Sequence, residues 1–408
     1  MPAISNKGLS MPESPIRKLV PFADNAKQKG INVIHLNIGQ PDIKTPQVAL
    51  DAVKNNDISI LSYAKTEGSY NYREKLAHYY LKNNITINAD DILVTTGASE
   101  ALSFVIGSIA DQYDEIIIPE PFYANYNSFS TAFGVTVIPI VSKIETGFAL
   151  PSIIEFEKAI TKKTKAILIC NPNNPTGYLY SKKEIKQLAH LVKKHDLFLI
   201  VDEVYREFIY DGKEHYSVLK ESNLEENAIV IDSVSKRYSM CGARIGCVIT
   251  KNQILRNTIL KFMQARLSPP TYALIASEAA LDTPQSYFDD VIEEYASRRN
   301  ILITELNKIN EVTVVNPQGA FYCIVSLPIK NSDTFAQWLL ENYSLENETI
   351  MVAPAGGFYA TENLGNNQIR IAYVLEKEIL KRAVRILREA LNTYILNEHS
   401  KEYILKEI

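Results

Sequence analysis

The sequence predicts an α/β protein: a large domain built on a mostly parallel seven-stranded sheet covered by helices, plus a smaller α+β domain. From Asp91 onward, short apolar runs alternate with amphipathic stretches of helical period, the order of strand–helix–strand units. Runs such as Ala166-Ile167-Leu168-Ile169-Cys170 are apolar throughout, as in strands covered on both faces. At 408 residues, the chain is also long enough for one large and one smaller domain.

Residues 1 to about 20 read as an extended arm, because Pro2, Pro12, Pro15 and Pro21 forbid a long helix. A helix over 22–29 stops at Gly30, and the run from Val33 to Asp42 is a strand ending in a Gly-containing turn. Helices follow at 46–56 and, after a polar turn from Tyr63 to Gly68, at 70–82. The seven strands fall at 92–95, 115–118, 136–141, 165–170, 197–201, 228–232 and 245–249, with helices at 99–110, 122–133, 152–161 and 181–195. Helices dominate 253–309, including a long one from 285. Strands at 312–315, 321–326 and 369–373 and helices at 332–342 and 376–397 complete the chain, before a helical or frayed tail from Glu398 to Ile408. The division expected is 1–45 for the arm and part of the small domain, 46–296 for the large domain and 297–408 for the small one.

The composition, 46% hydrophobic and 22% charged, is that of a globular protein, and the net charge of −4 gives no footprint for nucleic acid. No apolar run approaches membrane-span length. Cys170, Cys241, Cys247 and Cys323 form no C-x-x-C pair, and three lie in or beside apolar runs, which favours reduced thiols and a cytoplasmic location. The six histidines show no H-x-x-x-H pair, so no metal site is expected.

Polar motifs punctuate the strand ends, where ligands of such sheets sit. Ser233-Val234-Ser235-Lys236 to Gly242-Ala243-Arg244 is a turn between two apolar strands. A Lys there can be aimed into a cleft as an amine nucleophile toward an aldehyde, and Arg matches phosphate oxygens. A group carrying both an aldehyde and a phosphate is pyridoxal phosphate. A surface Lys and Arg are the bland alternative.

Asp202 closes the apolar run Leu197–Val201, and an ionised carboxylate there wants a cation, for which a protonated pyridine nitrogen would serve. Capping the next segment is the alternative. Asn171-Pro172-Asn173-Asn174-Pro175-Thr176-Gly177 is a stiff turn able to hold an amide against a ligand oxygen. Thr95 to Leu102 runs from strand through tight turn to helix start, which suits a phosphate but also a plain capping box. Within Pro121–Tyr126 an aromatic could stack on a flat ring or simply join the core.

In this order, Asn-Pro-x-Asn-Pro-Thr-Gly at 171–177, Asp-x-x-Tyr at 202–205, Ser-x-Ser-Lys at 233–236, Gly-x-Arg at 242–244 and Arg370 resemble the class I/II aminotransferases. These are fold-type I pyridoxal-phosphate enzymes of the aspartate aminotransferase superfamily. The resemblance runs from Gly39 to the C-terminal helices. It implies that Lys236 is the Schiff-base lysine and proton carrier, and that Asp202 partners the pyridine nitrogen. Tyr205 and Asn174 would bond the phenolic oxygen of the cofactor. Ser233, Arg244 and the amides of Ala98 and Ser99 would form the phosphate cup, and Tyr123 would lie over the ring. Tyr63 would reach the other subunit's phosphate, which implies a homodimer with shared sites. Arg370 would clamp the substrate α-carboxylate, with Gly39 bringing backbone close to it.

Positions where aspartate-specific members carry a second cation hold uncharged residues here: the stretch Tyr272-Ala273-Leu274-Ile275 and Ser99. Arg266, beside Pro269-Pro270, is the candidate substitute, with a structural role at a helix end as its alternative. The expected reaction is transamination between an α-amino acid, aspartate foremost, and a 2-oxo acid such as 2-oxoglutarate. An aminotransferase for aromatic or neutral amino acids and a β-lyase are the alternatives. A ligand sensor fused to a DNA-binding segment is disfavoured, because the motifs begin near residue 39.

Overall fold

The computed structural model describes residues 2–406, with side chains through Glu398. A seven-stranded sheet forms the centre, in spatial order Ile92–Thr95, Gly246–Ile249, Ala228–Ser233, Phe198–Asp202, Thr164–Cys170, Glu115–Glu120 and Thr136–Val141. The neighbours from Ala228–Ser233 to Thr136–Val141 pair in parallel. Gly246–Ile249 runs antiparallel to both its neighbours. Side chains alternate between two cores, as the strand period requires. Ile116, Ile118, Leu168, Ile200, Ile229, Ile231 and Val248 face one. Ile117, Ile167, Ile169, Leu199, Val201, Val230 and Ile249 face the other.

The C-terminal part builds a second sheet, in order Ala353–Pro354, Gln368–Ala372, Tyr322–Ser326 and Thr313–Val314, all antiparallel. The N-terminal strand Asn32–His35 pairs in parallel with Glu348–Met351. That second strand is absent from the sequence reading. Its four residues are too few to show a period, and its partner lies more than three hundred positions away.

Other differences are local. The helix expected from 122 begins at Asn125, because the Phe122 amide donates to the Phe358 carbonyl (2.9 Å) instead of joining a helix. The turn expected around Lys236 is a short helix, Val234–Arg237. The last helix runs Lys377–Lys406, through most of the expected tail, and Glu407 and Ile408 lie outside the described residues. Among the described residues no helix is long and apolar enough to cross a membrane.

Candidate active site

The strand carboxyl ends, the first turn of the helix Gly97–Ile109, the N-terminal arm and the second sheet enclose a cavity of about 650 Å³. Lys236, Asp202, Tyr205, Asn174, Ser233, Arg244, Ala98, Ser99, Tyr123, Arg370 and Gly39 all line it. Tyr63 and Arg266 do not.

The short helix carrying Lys236 is capped by Ser233, whose Oγ accepts from the Ser235 amide (3.1 Å) and donates to the Ile245 carbonyl (2.8 Å). The next residue, Arg237, turns the other way. Buried, it pairs with Asp232 at 2.6 Å and stacks on Tyr79 at 4.3 Å, while Asp232 also accepts from the Tyr80 hydroxyl (2.8 Å). Both flanks of Lys236 are thereby anchored beneath the cavity. Its Nζ projects into the cavity and donates to the Gly39 carbonyl (2.8 Å), with the Cys241 thiol 3.6 Å away.

Asp202 ends its strand 4% exposed. One carboxylate oxygen accepts from the Tyr126 hydroxyl (2.8 Å) and the other from the Val204 amide (3.3 Å). Burial lifts its pKa to about 6, against the pull of those two hydrogen bonds and of the Lys236 charge. No Lys, Arg or His pairs with it among the described residues. A buried carboxylate lacking a cation, in the wall of an open cavity, fits a protonated ring nitrogen. Three residues along, the Tyr205 hydroxyl receives a hydrogen bond from Asn174 Nδ2 (3.3 Å) and lies 3.1 Å from the Tyr322 hydroxyl.

Across the cavity, Arg244 adopts a left-handed backbone conformation (φ 56°) and donates to the Cys241 carbonyl (3.1 Å). Its guanidinium lies against Gly97, where an added Cβ would stand 2.2 Å from Nη2, and Gly97 itself has φ +77°. The first amides of a helix lack intrahelical partners and carry partial positive charge. Arg244 beside this helix start therefore forms a cationic, donor-rich cup that fits a phosphate.

Arg370 is 1% exposed, so burial lowers its pKa. Nη1 donates to Asn174 Oδ1 (3.1 Å) and Nη2 to the Asn37 carbonyl (2.6 Å), between the Tyr322 and Phe358 rings at 4.5 and 4.9 Å. Nε has no partner, and no carboxylate pairs with this arginine among the described residues. Nearby, Gly39 leaves room for the Tyr322 hydroxyl, which an added Cβ would overlap at 1.7 Å. Tyr123 stands edge-on to Tyr126 (5.5 Å), its hydroxyl pKa pushed up to about 12 by burial.

Arg266 faces away from the expected role. Its Nε is 3.3 Å from Glu100 and Nη2 donates to the Val94 carbonyl (3.1 Å), so it ties its own helix end to the helix start at Gly97. Tyr63 is 79% exposed on the chain surface. Tyr322, Cys241 and Asn37 were missed by sequence reading. Only Tyr322 had a signal, an aromatic opening a strand just after the Gln318-Gly319-Ala320 turn.

An amine, a buried carboxylate short of a cation, and an arginine–helix cup at the carboxyl edge of an α/β sheet fit the groups of pyridoxal phosphate. The family model for aminotransferase class I and II matches residues 31–387, so the chain belongs to that family and is a pyridoxal-phosphate-dependent aminotransferase. A putative aminotransferase, YugH, of Bacillus subtilis is 33% identical over 91% of this chain and 94% of its own. The aspartate aminotransferase of the same organism is 30% identical over 90% and 93%. The solved alanine aminotransferase from Pyrococcus furiosus superposes with a TM-score of 0.88 at 30% identity, covering 96% of this chain and all of that one.

Proposed function

We propose that this aminotransferase moves an amino group between an α-amino acid, aspartate foremost, and a 2-oxo acid such as 2-oxoglutarate. The observation that carries the reading is a pair of opposite deficits in one cavity: buried Asp202 lacks a cation, and buried Arg370 lacks an anion. A cationic ring answers the first and a substrate α-carboxylate the second.

Bound pyridoxal phosphate would supply an aldehyde for an amine and a ring that withdraws electrons from the substrate Cα. Arg244, Ser233 and the Ala98 and Ser99 amides would take its phosphate, Asp202 would keep its ring nitrogen protonated, and Tyr205 with Asn174 would hold its phenolic oxygen. Tyr123, which lines the same cavity, would lie over its ring. Lys236 Nζ is the amine that would hold the aldehyde of that group, and it is placed to carry a proton to and from the substrate Cα. Arg370 fixes the α-carboxylate beside the Gly39 backbone, which sets the bond to be broken.

We also place the enzyme in the cytoplasm, consistent with four free cysteines, and as a homodimer in which Tyr63 completes the neighbouring site. The alternative of a neutral or aromatic donor is favoured by the uncharged Ser99 and Tyr272–Ile275 and by the alanine activity in the name of the Pyrococcus relative. The β-lyase alternative shares every cofactor residue. A panel of amino donors with 2-oxoglutarate tests the reading: aspartate should lead, and release of ammonia without acceptor turnover would overturn transamination. Active protein sedimenting as a monomer at assay concentration would overturn the shared site.

A further inference from the structure

We propose that Arg17, on the N-terminal arm, is the specificity-determining residue that receives the second carboxylate of dicarboxylic substrates. This rests on the aminotransferase reading above. The cations lining the cavity are Arg17, Lys236, Arg244 and Arg370. The last three hold hydrogen bonds to Gly39, Cys241 and Asn174. The Arg17 side chain is exposed and makes no hydrogen bond or ion pair among the described residues, whereas its neighbour Lys18 is paired with Asp333. A guanidinium at the cavity wall with no partner is ready for an anion, and its planar fork suits a carboxylate.

The arm is fixed relative to the α-carboxylate clamp. Asn37 Nδ2 donates to the Ile16 carbonyl (3.2 Å), and the carbonyl of the same Asn37 accepts from Arg370 (2.6 Å). One residue thus links the peptide next to Arg17 to Arg370. On the other side, buried Pro15 packs on Gly357, where an added Cβ would stand 2.6 Å from its ring, and Phe358 lies under the Arg370 guanidinium. Arg17, Arg370 and Tyr123 all line the one cavity. Two guanidiniums tied to a common support, one buried and one at the rim, are what a substrate with two carboxylates can bridge. The rim cation is solvated and adjustable, so it adds preference for dicarboxylates without barring neutral side chains. Arg266 cannot take this part while it is held by Glu100 and Val94.

The test is kcat/KM of the holoenzyme for glutamate, aspartate and alanine in wild type, Arg17→Ala and Arg17→Lys. In addition, binding of succinate and propionate, which cannot react, is followed by calorimetry. In Arg17→Ala the glutamate-to-alanine ratio of kcat/KM should fall about 10- to 100-fold, mostly through KM, with succinate weakened more than propionate. Arg17→Lys should recover part of the ratio, since the charge remains but the fork is lost. An unchanged ratio in Arg17→Ala, equal weakening of succinate and propionate, or a wild type that uses alanine but refuses both dicarboxylates would overturn the proposal. A wild type that transaminates no donor would instead overturn the functional reading on which it rests.

Discussion

The floor and the mouth of the cavity are built by opposite means. At the floor, Asp232, Arg237, Tyr80 and Tyr79 lock together beneath Lys236, and Asp202 is bonded by Tyr126 and Val204. Most polar groups there have a protein partner, while Asp202 lacks a cation and Arg370 lacks an anion among the described residues. At the mouth, Arg17 is exposed. A paired, buried frame holds reacting groups to one geometry, while a solvated rim can tell one substrate from another at little structural cost. Floor variants should therefore damage turnover of every donor, and mouth variants should change the ranking of donors.

The largest effect is expected from Lys236→Ala. Losing the amine should lower kcat on the order of 10⁴-fold for all donors, and the protein should no longer yield a borohydride-stable cofactor adduct. An intact reduced adduct in the variant would move the attachment elsewhere. Arg370→Ala comes next: removing a buried charge from a carboxylate costs about 2–5 kcal/mol, so kcat/KM should fall at least about 30-fold for aspartate and alanine alike. A loss confined to dicarboxylates would shift Arg370 to the rim's task. Asp202→Asn should hold cofactor yet drop kcat about 100-fold, through loss of charge opposite the ring nitrogen. Near-normal kcat would reduce Asp202 to a turn cap.

A smaller effect concerns the cofactor-free protein. Asp202 and Glu203 have folded pKa values raised to about 6 and about 7, chiefly by burial. A raised carboxylate pKa means that the folded chain binds the proton more tightly than the unfolded chain. Stability from these groups is therefore greatest below their unfolded pKa values, near 4, and declines as pH rises through 6 to 7. The melting temperature of apo Asp202→Asn should fall less steeply over that range than that of the wild type, and parallel curves would contradict the buried, cation-starved carboxylate. The smallest effect is expected of Arg266→Ala, which should cost about 1–2 kcal/mol of stability and leave the ranking of donors as it is. A selective loss of aspartate turnover would return Arg266 to the substrate.

How much was legible follows the same division. The placement of Asp202, Asn174, Ser233, Lys236 and Arg244 around one cavity was legible because each sits beside the end of an apolar run, so local pattern fixes the strand and the edge it lies at. The parallel sheet was readable from the same runs. Asn37, Tyr322 and Arg17 enter the site only through contacts with segments far along the chain, and no periodicity encodes those. For Arg266 the sequence left a substrate role and a structural role at a helix end both open. Its nearness in sequence to Pro269 and Pro270 says nothing about direction, and Glu100 in the helix start, whose carboxylate also accepts from the Thr96 amide (2.7 Å), was the partner that decided it.

The antiparallel course of Gly246–Ile249 has a consequence for the order in which the protein is made. Because the chain turns back at once after Ala228–Ser233, Ser233 stands opposite Gly246, and Lys236 and Arg244 belong to one hairpin-like connection. That connection, the helix start at Gly97 and Asp202 are all synthesised by residue 249 and emerge from the ribosome soon after. Arg370 follows much later, and the strand Asn32–His35, synthesised first, must wait for Glu348–Met351 before it can pair. A growing chain therefore acquires its anion cup and amine well before it can grip a substrate carboxylate, and the first residues to emerge are among the last to find their place.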